Sequence, residues 1–503
     1  MLTQAIRETS QSQTFEVRNP ATGDKITDLP IHSPAEVVAA VGRMRLAQQE
    51  WASLSFKARA SRMYQLRRLM LDNREELVDV VVAENGKPRI EVMAEILYLA
   101  DLIGYYVKNS PKFLGDRKVS LHLLKNKRAY VTYHPVGVVG VISPWNYPLN
   151  LSYGDVITAW IAGNAVVLKP SEFTPMTALK MAEFSRQAGL PLEVMTGLGE
   201  TGGALVDAAD LIAFTGSVAT GKRVMERAAK TLKPVLLELG GKDPMLVLKD
   251  ADLDRAAAGA IYAGLFNAGQ TCISVERIYV EEPVYDEFVA KLRQGVAKLR
   301  QGIEKVGQAD IDLGPMTTPR QLEIVEQQIA DARAKGATIL TGGKRRSDLP
   351  GLFYEPTIVT DLTDDMLLLQ EETFGPVLPV IKVRDAEEAV RRANNSRFGL
   401  SSSIWTKDNS KGEALARQIE AGSTCVNDAL INYLALEVPF GGIKESGIGS
   451  RHGGAEGIRK FCRSHSIVVD RFQLKRELIW YPYNKRVASI INIAMNFLFK
   501  KSK

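Results

Sequence analysis

Apolar positions along the chain follow two different spacings, and the alternation between them sets the fold class. From Val136 onward, short β-branched runs alternate with stretches whose apolar residues recur every three or four positions, as in a parallel sheet built from βαβ units. Val136–Ile142, Ala165–Leu168 and Leu211–Phe214 read as strands, with helices predicted near 176–188 and 218–230. A second α/β run follows, with strands at Pro244–Leu248 and 276–280 and helices over 252–268 and 283–301. Two Rossmann-like lobes meeting near residue 240 are expected. Upstream, 34–114 has the periodicity of helices, whereas 118–134 reads as a hairpin with too little apolar surface to stand alone, so it must pair with something else. The stretch 439–454, PFGGIKESGIGSRHGG, is expected to be a loop, because so many glycines cost too much entropy inside an element.

Composition narrows the picture. A chain of 503 residues with 45% hydrophobic and 24% charged residues is long enough for two cores. The start has no apolar stretch of signal-peptide length and no run of about 18 apolar residues occurs, so export and membrane spanning are not expected. Cys272, Cys425 and Cys462 are odd in number and lack paired spacing, which points to free thiols in a reducing, cytoplasmic compartment. The five histidines (His32, His122, His134, His452, His465) show no ligand spacing, and no metal is expected.

The net charge of +6 invites a nucleic-acid reading until its distribution is considered. Residues 475–503 hold seven basic residues against one acid, which accounts for the whole excess and leaves the body neutral. Within that tail, Lys485, Ser489, Asn492, Asn496 and Lys500 recur at three or four and form one polar stripe on an otherwise apolar helix, too short to cross a bilayer. Such a helix with basic flanks suits peripheral contact with an anionic membrane surface; packing on its own oligomer or over a substrate entrance is the alternative.

Chemistry gathers in a few loops. Asn267-Ala268-Gly269-Gln270-Thr271-Cys272 places a cysteine among small residues between a helix and a strand, where a thiolate could attack a carbonyl carbon. Glu238, ending the strand Val235–Leu237, offers a carboxylate that desolvation could turn into a water-activating base. Asn146, in Ser143-Pro144-Trp145-Asn146-Tyr147-Pro148, could donate its amide N–H to an oxyanion. Phe214-Thr215-Gly216-Ser217 runs from strand into helix, where N–H groups could face a pyrophosphate. Lys169 and Glu172, in Lys169-Pro170-Ser171-Glu172, end another strand, and Glu172 could bind the hydroxyls of an adenosine ribose. Singly, each has an ordinary structural explanation: a packed thiol, a solvated strand-end acid, a capped turn, a surface loop.

In this order, PWNYP, LKPSE, FTGS, LELGGK, GQTC, EETFGPV and PFGGIKESGIG resemble the aldehyde dehydrogenase superfamily over roughly residues 14–472, with a bacterial succinate-semialdehyde dehydrogenase branch the nearest likeness. The resemblance implies that Cys272 attacks an aldehyde and that the Asn146 amide and the Cys272 backbone N–H hold the oxyanion. Hydride transfer then leaves a thioester, which water activated by Glu238 hydrolyses. It also implies cofactor contacts from Trp145, Lys169, Glu172, Gly216, Ser217, Leu239, Glu372 and Phe374. NAD is favoured, since the Glu172 carboxylate repels a 2′-phosphate, with NADP compatible. The implied layout is a cofactor domain (1–117 and 136–240), a catalytic domain (241–438), bridging elements (118–135 and 439–474) including a hairpin that pairs with another subunit of a homodimer or homotetramer, and the basic tail. The substrate is left open between succinic semialdehyde and a medium- or long-chain or aromatic aldehyde. A CoA-acylating enzyme of the same fold and a dinucleotide-binding scaffold without turnover are the other readings, the first disfavoured by Glu238.

Overall fold

A computed structural model describes residues 13–305, 309–472, 475–477 and 479–500. The chain forms two compact units. One contains the residues up to Leu114 with His134–Arg463; the other contains Gly115–Tyr133 with the chain from Ser464 onward.

The first unit holds two mainly parallel sheets. In one, the strand order is Gly447–Ile448, Val235–Glu238, Leu211–Thr215, Val138–Ile142, Ala165–Lys169, Leu192–Val194. All neighbours are parallel except Gly447–Ile448, which runs antiparallel to Val235–Glu238. The first of these strands in the chain, Val138–Ile142, is central. The chain winds outward from it to Leu192–Val194, then crosses back to place Leu211–Thr215 on its other side. Ligands of open α/β sheets bind at this reversal, beyond the carboxyl ends of the strands. The register aligns those ends, with Ile142 opposite both Lys169 and Phe214 and Thr215 opposite Glu238. Four of the loops singled out by sequence thus leave one edge of one sheet.

The other sheet has the order Thr338–Thr341, Thr357–Thr360, Val377–Val383, Val275–Glu281, Asp243–Val247, Ser403–Trp405, Cys425–Val426, antiparallel only at the first pair. Its central strand Val275–Glu281 is buried throughout. Small residues let the helix Leu253–Leu265 lie close to the sheet: Ala256, Ala260 and Ala263 are buried, and a Cβ on Gly259 would collide with the Trp405 ring. Helices Pro34–Ser53, Phe56–Asp72, Arg74–Asn85 and Arg89–Leu114 fill the expected 34–114 region, the first opened by a Ser33–Glu36 capping box.

Several elements depart from the sequence reading. The helix expected over 252–268 stops at Leu265, because Asn267 and Ala268 adopt left-handed backbone that no helix accommodates. The helix expected over 283–301 is confined to Tyr285–Val296. The glycine-rich 439–454 is not wholly loop, since Gly447–Ile448 adds an edge strand to the first sheet. An N-terminal hairpin, Thr14–Arg18 with Lys25–Pro30, has no counterpart in that reading.

In the second unit the orphan hairpin acquires its partner from the same chain: strands Arg117–Val119, Lys127–Pro135 and Cys462–Asp470 form a three-stranded sheet with Cys462–Asp470 at its edge. The tail folds into the helix Lys485–Phe499, capped by the Asn484 side chain on the Val487 N–H. Among the described residues, no helix is long and apolar enough to cross a membrane.

Candidate active site

Cys272 is carried to the wall of two cavities by an unusual turn. Asn267, Ala268 and Gly269 have φ of 53°, 55° and 74°, three left-handed residues in succession. For Asn267 and Ala268 this costs energy that the surroundings must offset. They do so with hydrogen bonds: Asn267 donates its N–H to Glu91 (3.1 Å) and its amide to the Asn146 carbonyl (2.9 Å). The Gln270 amide donates to the Asn267 carbonyl (3.0 Å) while its oxygen accepts the Thr317 N–H (2.8 Å). Gly269 is required, because a Cβ there would lie 2.1 Å from the Gly375 carbonyl oxygen. Gly241 is required as well, since the Cys272 carbonyl oxygen sits 2.3 Å from where its Cβ would be.

Two cavities meet at the thiol. On one side is a cleft at the reversal point of the first sheet, lined by Trp145, Asn146, Gly216, Ser217, Leu239, Glu372 and Phe374 together with Cys272. Trp145 and Phe374 stand edge to face with ring centres 5.5 Å apart. Ser217 caps the twelve-residue helix Val218–Ala229, so this helix presents its N-terminus to the cleft. On the other side a tunnel is walled by Leu151, Phe266, Ile273, Leu430, Leu434 and three tyrosines. Its charged lining residues are all acids: Glu91, Glu95 and Asp428.

Asn146 is buried and held from several directions. Lys87 donates to its carbonyl (2.7 Å), pairs with Glu95 (2.6 Å) and lies 3.9 Å over the Tyr147 ring. Glu95 in turn accepts the Leu149 and Asn150 N–H groups, capping a helix that has no side-chain cap of its own. One Asn146 amide hydrogen goes to the Gln270 carbonyl (3.0 Å), which leaves the other to donate.

Glu238 ends its strand buried, with one carboxylate oxygen lacking a hydrogen-bond partner. Burial pushes it up to about 8. The same burial, reinforced by the charge of Glu238, drives the Cys272 thiol well above its ordinary value. Arg451 opposes both shifts; its guanidinium bonds the Thr215 hydroxyl and lies 3.2 Å from Asp155, which also binds Lys460 at 2.7 Å. Glu238, Arg451, Asp155 and Lys460 line one further small cavity.

The loop carrying Glu372 and Phe374 is pinned from below. Lys242 bonds Glu276 (2.6 Å) and the Thr373 hydroxyl (2.8 Å), and Glu276 accepts the Thr373 and Phe374 N–H groups at 2.7 and 2.8 Å. Glu372 accepts the Gly241 N–H at 2.9 Å, where any side chain on Gly240 would displace it. Lys169 and Glu172 share the sheet edge without lining the cleft; Lys169 is buried and Glu172, 3.8 Å away, is more open.

The profile of the aldehyde dehydrogenase family matches residues 6–467. The chain belongs to this family. It is therefore an NAD(P)-dependent dehydrogenase acting on an aldehyde. Among its relatives, a Mycolicibacterium smegmatis protein provisionally named as a succinate-semialdehyde dehydrogenase of the NADP(+) type is 40% identical over 93% of this chain and 91% of its own. A Methylomonas protein named 4,4'-diapolycopene aldehyde oxidase is also 40% identical, over 94% and 88%. Of solved structures, Staphylococcus aureus betaine aldehyde dehydrogenase with NAD+ superposes with a TM-score of 0.87 at 31% identity, covering 94% of each chain. An Escherichia coli NADP-dependent enzyme gives 0.86 at 34%, over 91% and 95%.

Several of the dehydrogenase's site residues escaped the sequence reading. Lys87, Glu91 and Glu95 sit among helical residues with no motif to mark them. A signal was nonetheless available: Glu91, Glu95, Tyr98 and Leu102 share one buried helical face, and two acids on an apolar face call for a reason. Arg451 was hidden in a glycine-rich stretch. Arg277, a cation five residues after Cys272, is buried and bonded to the carbonyls of Lys242 and Ala393. Among the described residues no cluster could hold a metal ion.

Proposed function

We propose that the dehydrogenase oxidises an apolar aldehyde to the carboxylic acid through a thioester on Cys272, in a cofactor-dependent and hydrolytic reaction. One observation carries this reading: Cys272 is a wall of both cavities, so a single sulfur faces a cleft at the sheet's reversal point and a separate apolar tunnel. The cleft suits a dinucleotide, with N–H groups at a helix start for phosphate and Trp145, Leu239 and Phe374 for a flat ring, while Glu372 would hold a ribose. Glu172 at the sheet edge favours NAD over NADP. The cofactor, when bound, supplies the hydride acceptor. Cys272 forms the bond to the aldehyde carbon and retains the acyl group. The free Asn146 N–H and the Cys272 backbone N–H face the oxyanion, and Glu238 takes a proton from the water that releases the acid.

The tunnel decides between substrates. A succinic semialdehyde carboxylate needs a cation, and the lining offers carboxyl groups and none of Lys, Arg or His. Glu91 is half committed to the Asn267 N–H, its other oxygen has no partner, and burial raises it to about 8. Succinic semialdehyde is the second reading, favoured by the name of the mycobacterial relative; the Methylomonas name accords with the first. Measuring NAD(P)H formation with succinic semialdehyde, hexanal and hexadecanal, with and without CoA, tests both. Preference for the long aldehyde without CoA is expected; succinic semialdehyde turned over best would sink the apolar reading, and strict CoA dependence the hydrolytic one.

The exposed edge strand Cys462–Asp470 supports assembly into a homodimer or homotetramer through this sheet. Three free thiols accord with a cytoplasmic location. The exposed helix Lys485–Phe499 supports peripheral membrane contact.

A further inference from the structure

We propose that the C-terminal tail docks on an anionic lipid bilayer as a shallow anchor in the headgroup plane, and that the enzyme draws its aldehyde from the lipid phase; the second part rests on the apolar-substrate reading.

In the helix Lys485–Phe499 the one buried residue is Val487. Ile493, Phe497 and Phe499 are 68%, 75% and 59% exposed, and Ile490, Ile491, Met495 and Leu498 are exposed beside them. A contiguous apolar face of this kind marks an interaction site. Fifteen residues span about 22 Å, short of the ~30 Å hydrocarbon core, so the helix can lie in the interface and not cross it. Immediately before it, Trp480, Tyr481 and Tyr483 are exposed. Rings with a polar tip favour headgroup depth.

Charge selects the occupant. Lys475, Arg476, Lys485, Arg486 and Lys500 flank the apolar face, with Lys501 and Lys503 following in the sequence. The tail's one acid, Glu477, is already paired with Lys127 at 2.5 Å. Two such tails packed together would oppose like charges, whereas anionic headgroups neutralise them. The rest of the chain is electrically balanced, so the attraction is local to this segment.

The test is co-sedimentation of the full chain with vesicles of phosphatidylcholine alone or with about one-third phosphatidylglycerol. Binding is expected to the anionic vesicles and to be lost near 0.5 M NaCl, where the Debye length is a few ångströms. Lys485→Gln/Arg486→Gln/Lys500→Gln should weaken it about a hundredfold, at about fivefold per cation, and Phe497→Ser/Phe499→Ser should abolish it. Equal binding to neutral vesicles, or none to either, overturns docking. So does a solution mass that doubles in a tail-dependent way without vesicle binding, which would make a second copy the occupant. In the activity arm, the triple variant should lower kcat/KM roughly tenfold for hexadecanal held in anionic vesicles and leave that for dissolved hexanal unchanged. If the full chain binds vesicles but fails to oxidise hexadecanal even from detergent micelles, the substrate reading falls and docking stands.

Discussion

The two cavities that meet at Cys272 are built from different parts of the chain's chemistry. The cleft sets a helix start and glycines at 216 and 240 beside the side chains of Trp145, Asn146, Leu239, Glu372 and Phe374, with Gly241 and Gly269 packed tightly nearby. The tunnel is shaped by side chains, apolar ones with a few acids. The glycines tolerate little change, because a Cβ at Gly269 would strike the Gly375 carbonyl oxygen at 2.1 Å and one at Gly240 would push the Glu372 carboxylate from its place at 2.4 Å. A side-chain-made site can be recut by substitution. On the proposed chemistry, one thiol would meet a constant cofactor from one side and, from the other, whatever the side chains admit.

The largest effect should come from the shared wall. Cys272→Ser replaces the sulfur nucleophile with a much weaker oxygen one, and kcat for aldehyde oxidation, followed by NAD(P)H absorbance, should fall by about 10⁴-fold. Retained activity would dissolve the division into two cavities around a nucleophile. Next, Glu238→Gln should lower kcat by about 10³-fold and abolish the rise of activity with pH. That rise is expected through about 8, because Glu238 must be ionised to take a proton and burial holds it neutral below that value. Its effect on stability has the opposite sign. Between the ordinary carboxyl range and about 8 the unfolded chain ionises this group and the folded chain does not. Stability therefore falls as pH rises across that window, and a glutamine should flatten the fall in a denaturant titration.

Lys87→Met probes how far the tunnel side positions the oxyanion donor. It removes the hydrogen bond to the Asn146 carbonyl and leaves Glu95 buried without its cation. A loss of about 3–5 kcal/mol in unfolding free energy is expected, with kcat reduced by about 10²-fold; adding Glu95→Gln should restore part of the stability and little of the rate. Leu434→Arg sharpens the contrast directly: a cation in the tunnel lining should raise kcat/KM for succinic semialdehyde relative to hexadecanal by about tenfold. The smallest effect is expected at the outer edge of the cofactor side, where Glu172→Gln should shift the NADP-to-NAD preference by about fivefold in initial-rate measurements.

The cleft, with its turn-forming loops, was the legible half. Glycine and proline patterns marked Asn146, Gly216, Glu238 and Cys272, since a turn at the end of a strand requires particular residues at fixed offsets. The parallel strands were readable because they are buried on both faces and therefore continuously apolar. The side-chain half was less visible. Lys87, Asn267 and Arg451 act through contacts with residues 59, 121 and 236 positions away, and no local period records such pairings. The short helix before Cys272 was overrun for the same reason: propensity extends a helix through Asn267 and Ala268, and hydrogen bonds from distant segments end it. The tail helix was legible as a helix because its polar stripe is periodic, although periodicity alone says nothing of what covers it.

Burial of Cys272 beside a carboxylate has a consequence for the life of the protein between turnovers. A sulfur held in its protonated form is a poor target for peroxides and alkylating agents, which attack the anion. If Cys272 is the proposed nucleophile, the resting molecule would keep it chemically quiet and guarded from irreversible oxidation.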